Sequence, residues 1–232
     1  EEEQDWLSRH CVGAYAAKAY QVTGQEEKSV PLMESEISRL RRLGLHEELG
    51  LNYLMYAEIL LTEEIRKLSQ GGFADFLSFR RYLEMAEEHA ALNHSTGDYI
   101  LFARILHLGS EALIRPDKAL YGVKNILQMA ENASPFFQTL IYGRVANALY
   151  VLGQDIEQSR KYYKKSIEIG ERYGTLNIPM VCYGELAAVF LREGDEARAE
   201  ECTRRCLTLS QQYGHRYYFQ LKTHFGEVLK FA

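Results

Sequence analysis

Residues 142–149 read YGRVANAL, and residues 183–190 read YGELAAVF, an offset of 183 − 142 = 41 positions. A glycine follows each stretch at the same distance, Gly153 in the first copy and Gly194 in the second. The next segment of each copy has small or aromatic residues at matching positions: Ser159, Tyr163 and Ser166, then Ala199, Thr203 and Cys206. A self-match at a fixed offset indicates a repeat architecture.

Apolar residues recur at three- and four-residue steps along most of the chain, which is the period of one helix face. Strand-like alternation over five or more residues is absent, so the sequence predicts an all-α fold. Short connections favour antiparallel neighbours, and no long polar linker interrupts the chain, so one domain over residues 1–232 is predicted. Glycines and prolines divide it into eleven predicted helices: 2–22, 30–43, 46–69, 73–93, 97–114, 117–132, 135–152, 155–173, 176–193, 195–213 and 215–231.

Weaker copies of the first-helix pattern occur elsewhere in the chain. Each can be aligned on a central small residue: Ala16 with Val12, Tyr15 and Ala19; Ala57 with Tyr53, Tyr56 and Leu60; Gly109 with Ile105, Leu108 and Ala112; Gly226 with Phe225 and Leu229. A small central residue allows the second helix of a pair to approach closely. Because no pair can bury both of its faces alone, pairs are expected to stack into a right-handed superhelix.

The pattern resembles the tetratricopeptide repeat (TPR). The resemblance is clearest over residues 135–174 and 175–214 and looser over 1–134, and a capping helix is expected over 215–231. Tyr142 and Tyr183 stand where the family usually has Trp, and the closing Pro is absent. The resemblance implies about five helix pairs plus the capping helix. The long period also resembles variants in sensor regions of bacterial transcription regulators, such as the maltose-regulator type, and in peptide-responsive regulators.

The resemblance further implies that the first helix of each pair lines a concave groove. The residues that it places in this groove are Glu58, Ser110, Asn147, Tyr150, Arg192, Thr223 and Glu227. An Asn can donate to and accept from a peptide backbone, and an Arg can hold a carboxylate with two hydrogen bonds. The alternative is that these side chains are ordinary solvent-facing residues.

Composition excludes several classes of protein. Lys and Arg number 27 and Asp and Glu 32, and a net charge of −5 gives this segment no attraction for nucleic acid. No apolar run approaches the roughly 18–20 residues of a membrane-spanning helix. The four cysteines lack the spacing of a disulfide scaffold or a metal site, so they are expected to be packing residues in a reducing cytoplasm.

Enzyme signatures are absent from the sequence, including the phosphate-binding loop, the dinucleotide fingerprint, the nucleophile elbow and the His-Glu-x-x-His motif. We therefore expect no enzyme activity, no cofactor and no metal. The expected function is binding of a peptide, protein or small effector in the groove, as the sensor or interaction region of a bacterial transcription or signalling regulator. The alternative is a structural adaptor or oligomerisation module without a small ligand. The formation of a homodimer is a further possibility that the sequence leaves open.

Overall fold

A computed structural model describes residues 2–69, 71–92, 97–153 and 155–213. Within these ranges all regular elements are helices and no strand occurs, which confirms the all-α prediction. The helices are α1 (Glu2–Val22), α2 (Glu26–Leu43), α3 (His46–Ser69), α4 (Leu77–Leu92), α5 (Gly97–Ile114), α6 (Pro116–Ala130), α7 (Pro135–Val151), α8 (Ile156–Tyr173), α9 (Asn177–Arg192) and α10 (Glu196–Tyr213). The predicted helix 215–231 lies outside the described residues.

Two helix starts differ from the predictions by four residues, and four others differ by one residue. Helix α2 begins at Glu26 rather than at residue 30, so Pro31 lies inside the helix instead of at its start. Glu26 and Glu27 occupy the first turn of α2, where their charges complement the helix dipole. Helix α4 begins at Leu77 rather than at residue 73, because the Asp75 carboxylate accepts a hydrogen bond from the Leu77 amide and caps the helix there.

The second helices of the pairs share one pattern of buried residues, at spacings of four, three and four. Four buried positions of each helix thereby face the first helix of a pair, as the repeat predicts. The buried sets are Ser29, Met33, Glu36 and Leu40 in α2; Ala119, Val123, Ile126 and Ala130 in α6; Ser159, Tyr163, Ser166 and Gly170 in α8; and Ala199, Thr203, Cys206 and Ser210 in α10. Phe79, Leu83 and Ala86 begin the same pattern in α4.

Serine hydroxyls join the two helices at the centre of two pairs. Ser159 Oγ on α8 donates to the carbonyl oxygen of Ala146 on α7 at 2.7 Å. Ser29 Oγ on α2 donates to the carbonyl oxygen of Ala17 on α1 at 2.8 Å. Both serines are buried, so each hydroxyl satisfies its hydrogen bond inside the pair. The small residue at the centre of the first helix is what admits this contact.

The central residue of α1 is Ala17 and not Ala16, so the predicted alignment of that helix is wrong by one position. Ala14 and Ala17 are fully buried, whereas Val12 and Tyr15 are exposed. The sequence AYAAKA allows several alignments, because alanine fits both the buried and the exposed positions of a helix. The upstream alignment on Ala57 is confirmed by burial of Tyr53, Tyr56 and Ala57, and Ile105, Leu108 and Ala112 are also buried. The match at Phe225, Gly226 and Leu229 lies outside the described residues.

The predicted turn glycines confirm the ends of two first helices. Gly153 follows α7 with φ of 61°, and Gly194 follows α9 with φ of 77°. Residues with a Cβ atom rarely adopt this left-handed backbone conformation, so glycine suits both positions. The 41-residue repeat is therefore a repeat of structure, with the chain reversing direction at the same place in each copy.

The helices are grouped into two compact units, Glu1–Leu106 and His107–Ala232. The core of the first unit includes Tyr53, Leu54, Phe79 and Leu83. The second contains a cluster of buried residues from α7 to α10, among them Ala146, Tyr163, Leu186 and Phe190. The single domain over 1–232 and the right-handed superhelix stay predictions.

Candidate functional site

One face of α7 and of α9 stays accessible although both helices are buried on most of their surface. The accessible residues repeat at the 41-residue offset with spacings of four, three and four, so they form one stripe along each helix. They are Leu140, Arg144, Asn147 and Val151 on α7, and Val181, Glu185, Ala188 and Arg192 on α9. We call these eight residues the α7–α9 stripe. All are half-buried or exposed.

A hydrogen bond connects the two helices at the middle of the stripe. Asn147 Nδ2 donates to Glu185 Oε2 at 2.9 Å. The hydroxyl of Tyr163, a buried residue of α8, donates to the same carboxylate oxygen at 3.3 Å. Three helices therefore converge on one carboxylate, and this fixes the position of Glu185. The Asn147 side chain keeps an amide oxygen that can accept a hydrogen bond from a ligand.

Two arginines carry positive charge on the stripe. The Arg192 guanidinium lies over the ring of Tyr150, 5.7 Å from its centroid, a distance that allows a cation–π contact. Among the residues that the structure describes, neither Arg144 nor Arg192 forms an ion pair. Both guanidinium groups therefore keep hydrogen-bond donors for a carboxylate or a carbonyl group.

Three of the predicted groove residues come together here, namely Asn147, Tyr150 and Arg192. The alignment that selected them missed Arg144, Glu185 and Tyr163. The spacing of Leu140, Arg144, Asn147 and Val151 was the sequence signal that could have identified Arg144, and with it Glu185 at the next repeat. The role of Tyr163 had no such signal, because its hydroxyl contacts a residue of a different helix pair.

Glu58 lies in the other compact unit and has a partner within it. Lys18 Nζ on α1 is 2.9 Å from Glu58 Oε1 on α3, and both side chains are partly buried. This ion pair neutralises the Glu58 carboxylate, which the sequence predicted to be a ligand-binding group. The side chain of Ser110, and the whole of Thr223 and Glu227, lie outside the described residues. The assignment of ligand binding to all seven residues stays a prediction.

Three cysteine thiols in the second unit are held in their neutral forms. Burial raises the pKa of the Cys182 and Cys206 thiols to about 12 and of the Cys202 thiol to about 11.

Within the described residues, no group of three or more His, Cys, Asp or Glu side chains is placed to hold a metal ion. No described helix is both long and apolar enough to cross a bilayer.

Known proteins resemble this chain in fold rather than in sequence. No family model matches the chain, and no curated protein matches its sequence. A crystal structure of a signal transduction ATPase with numerous domains (STAND) protein with a tetratricopeptide repeat sensor, from Pyrococcus horikoshii, has a TM-score of 0.53 and 15% sequence identity to this chain. The fold is that of a TPR-like helical repeat.

The likeness covers 90% of this chain but 30% of the STAND protein's chain. This chain therefore spans less than a third of that protein's length. At 15% identity the similarity concerns the arrangement of helices and not the residues of a site. The predicted TPR-like repeat is confirmed at this level of the fold.

Proposed function

We propose that this chain is a non-enzymatic binding domain that holds an extended peptide segment, free or part of a protein, along the α7–α9 stripe. The observation that carries the proposal is a pair of arginines, Arg144 and Arg192, without ion pairs among the described residues and on either side of the Asn147–Glu185 hydrogen bond. A carboxylate of the peptide would pair with a guanidinium, and the Asn147 amide oxygen would accept a backbone N–H.

We further propose that the domain is the sensor or interaction region of a cytoplasmic bacterial transcription or signalling regulator. The STAND protein with the same fold carries a sensor described as a tetratricopeptide repeat, which supports this role by analogy. The mechanism would be differential binding. A peptide that contacts α7 and α9 together favours the arrangement of these two pairs that fits it, and attached domains would respond to that shift.

The first prediction concerns binding at the stripe. A panel of synthetic peptides, each prepared with Glu and with Gln at one position, is screened for an increase in the melting temperature of the protein. For a peptide that binds, Arg192→Gln is expected to weaken binding by about tenfold or more, because it loses a hydrogen bond with a charged partner, which is worth about 1.5–3 kcal/mol. Asn147→Ala is expected to weaken binding by about two- to tenfold, because it loses a neutral hydrogen bond, which is worth about 0.5–1.5 kcal/mol. Fluorescence anisotropy measures the change in Kd.

Arg172→Gln is the matched control for the binding experiment. Arg172 is an exposed residue of α8, and it pairs with Glu168 at 2.8 Å. The control should bind like the wild-type protein, and the Gln peptides should bind more weakly than the Glu peptides to the wild type. Equal affinity of every variant for every peptide would contradict the proposed site.

A further inference from the structure

In two helix pairs a tyrosine of the second helix packs against a tyrosine of the first helix. In α7–α8 the rings of Tyr142 and Tyr162 are stacked, with centroids 5.8 Å apart and 5° between their planes. In α3–α4 the ring of Tyr82 packs on Tyr53, with centroids 5.9 Å apart. The two contacts are equivalent in the repeat. The first-helix tyrosine of each lies four residues before the central alanine, and the second-helix tyrosine lies one residue before the second buried position of its helix.

The pair α9–α10 has the first tyrosine of this contact but not the second. Tyr183 lies four residues before the central alanine of α9. Cys202 stands at the position of Tyr82 and Tyr162. Among the residues that the structure describes, no aromatic ring packs on Tyr183. Because a cysteine side chain is much smaller than a phenol ring, the space that a tyrosine fills in the other two pairs is left open here.

A groove of about 440 Å³ lies at this place and is lined by residues of α8, α9 and α10. Its volume falls within the range of small-molecule sites, about 300–1,000 Å³. Tyr183 lines the groove together with four apolar or weakly polar residues: Ile167, Leu186, Phe190 and Cys202. These four are buried, so the groove has an apolar floor. A floor of this kind suits the face of an aromatic ring.

The groove also has polar groups for a ligand. Lys164 on α8 and Glu201 on α10 line it, and neither forms an ion pair among the described residues. By contrast, Arg205 on α10 lies 3.6 Å from Glu171 on α8. A hydroxyl group can accept a hydrogen bond from an ammonium and donate one to a carboxylate. A ring that carries a hydroxyl therefore suits this groove better than a purely apolar one.

We propose that this groove binds a small molecule with a phenol ring, which stacks on Tyr183 as Tyr162 stacks on Tyr142. The repeat itself indicates the chemistry of the ligand, since the chain places a phenol ring at this position in two other pairs. The groove shares no residue with the α7–α9 stripe. It is therefore a second site, and it does not depend on peptide binding.

The second prediction uses p-cresol, which is the tyrosine side chain as a free molecule. In an NMR titration of the wild-type protein, p-cresol is expected to shift the amide resonances of the groove residues until they saturate. Cys202→Tyr is expected to weaken this binding by at least about tenfold, because the new side chain restores the ring of the repeat and fills the groove. Cys202→Ala is the matched control. It removes the thiol and leaves the groove open, so it should bind p-cresol like the wild type.

Circular dichroism verifies that each variant is folded, and Tyr183→Leu gives an independent test if Cys202→Tyr does not fold. Tyr183→Leu keeps the groove apolar but removes the stacking ring, so p-cresol should bind about two- to tenfold more weakly.

The saturated analogue 4-methylcyclohexanol tests whether the ring must be aromatic, and it should bind the wild type more weakly than p-cresol does. The proposal is overturned if p-cresol produces no saturable shifts at the groove. It is also overturned if a folded Cys202→Tyr protein binds p-cresol like the wild type, or if the saturated analogue binds equally well.

Discussion

Gly170→Ala is expected to lower the free energy of unfolding by about 2 kcal/mol, although alanine is the better helix former. Gly170 is a buried residue of α8. A Cβ atom there would lie 2.8 Å from Pro179 Cδ and 3.1 Å from Thr139 Cγ2, and closer still to Pro179 Cγ. The pyrrolidine ring cannot rotate away, so α8 would have to separate from α7 and α9. Overpacking of this kind costs about 1–3 kcal/mol or more.

Gly122→Ala is the matched control for this prediction. Gly122 also lies within a helix, α6, but a Cβ there would meet Leu108 Cδ1 at 3.5 Å, an ordinary van der Waals distance. Alanine should therefore raise the free energy of unfolding by up to about 1 kcal/mol through helix propensity. Urea titrations followed by circular dichroism measure both variants. If Gly170→Ala were as stable as Gly122→Ala, the close packing of α8 on Pro179 would be wrong.

The helices and their pairing could be predicted because they depend on local periodicity and on a repeated pattern. The copies at residues 142–149 and 183–190 predict which positions hold the small central residues and the turn glycines. They also predict the buried positions of the second helices. The alignment of α1 could not be obtained in this way. In a segment as rich in alanine as residues 14–19, the alignment is decided by the contact of Ser29 with Ala17, which is a contact between two helices.

The candidate site could be predicted in part, because some of its residues lie at positions that the repeated pattern defines. A rule that takes the residue after each central alanine reaches Asn147, and related positions give Tyr150 and Arg192. It does not reach Glu185, whose importance comes from two contacts with other helices, the amide of Asn147 and the hydroxyl of Tyr163. The rule also selects Glu58, since that residue follows Ala57. The sequence gives no sign that Lys18, forty residues earlier, lies close enough to form an ion pair with it.

The stability of the protein is expected to fall steeply above about pH 9 because of two buried thiols. Burial is the largest cause that raises the pKa of Cys182 and Cys206 from 9.0 to about 12, and the hydrogen bonds that they make with Ser166 and Ser210 only partly offset it. The unfolded chain can ionise both thiols near pH 9, whereas the folded protein keeps them neutral. The stabilisation is therefore complete below the unfolded pKa and is lost as the pH rises towards 12.

Each thiol should contribute a loss of about 1.4 kcal/mol per pH unit above its unfolded pKa, or about 4 kcal/mol for the pair at a pH of roughly 10.5. Urea titrations at pH 7 and at the higher pH measure this loss in the wild type and in Cys182→Ala/Cys206→Ala. The cavities left by the double substitution lower stability at both pH values and cancel in the difference. The variant should therefore lose about 4 kcal/mol less than the wild type between the two conditions. Equal losses would mean that the folded protein ionises these two thiols as readily as the unfolded chain does, and the burial of the thiols would then not explain the pH dependence.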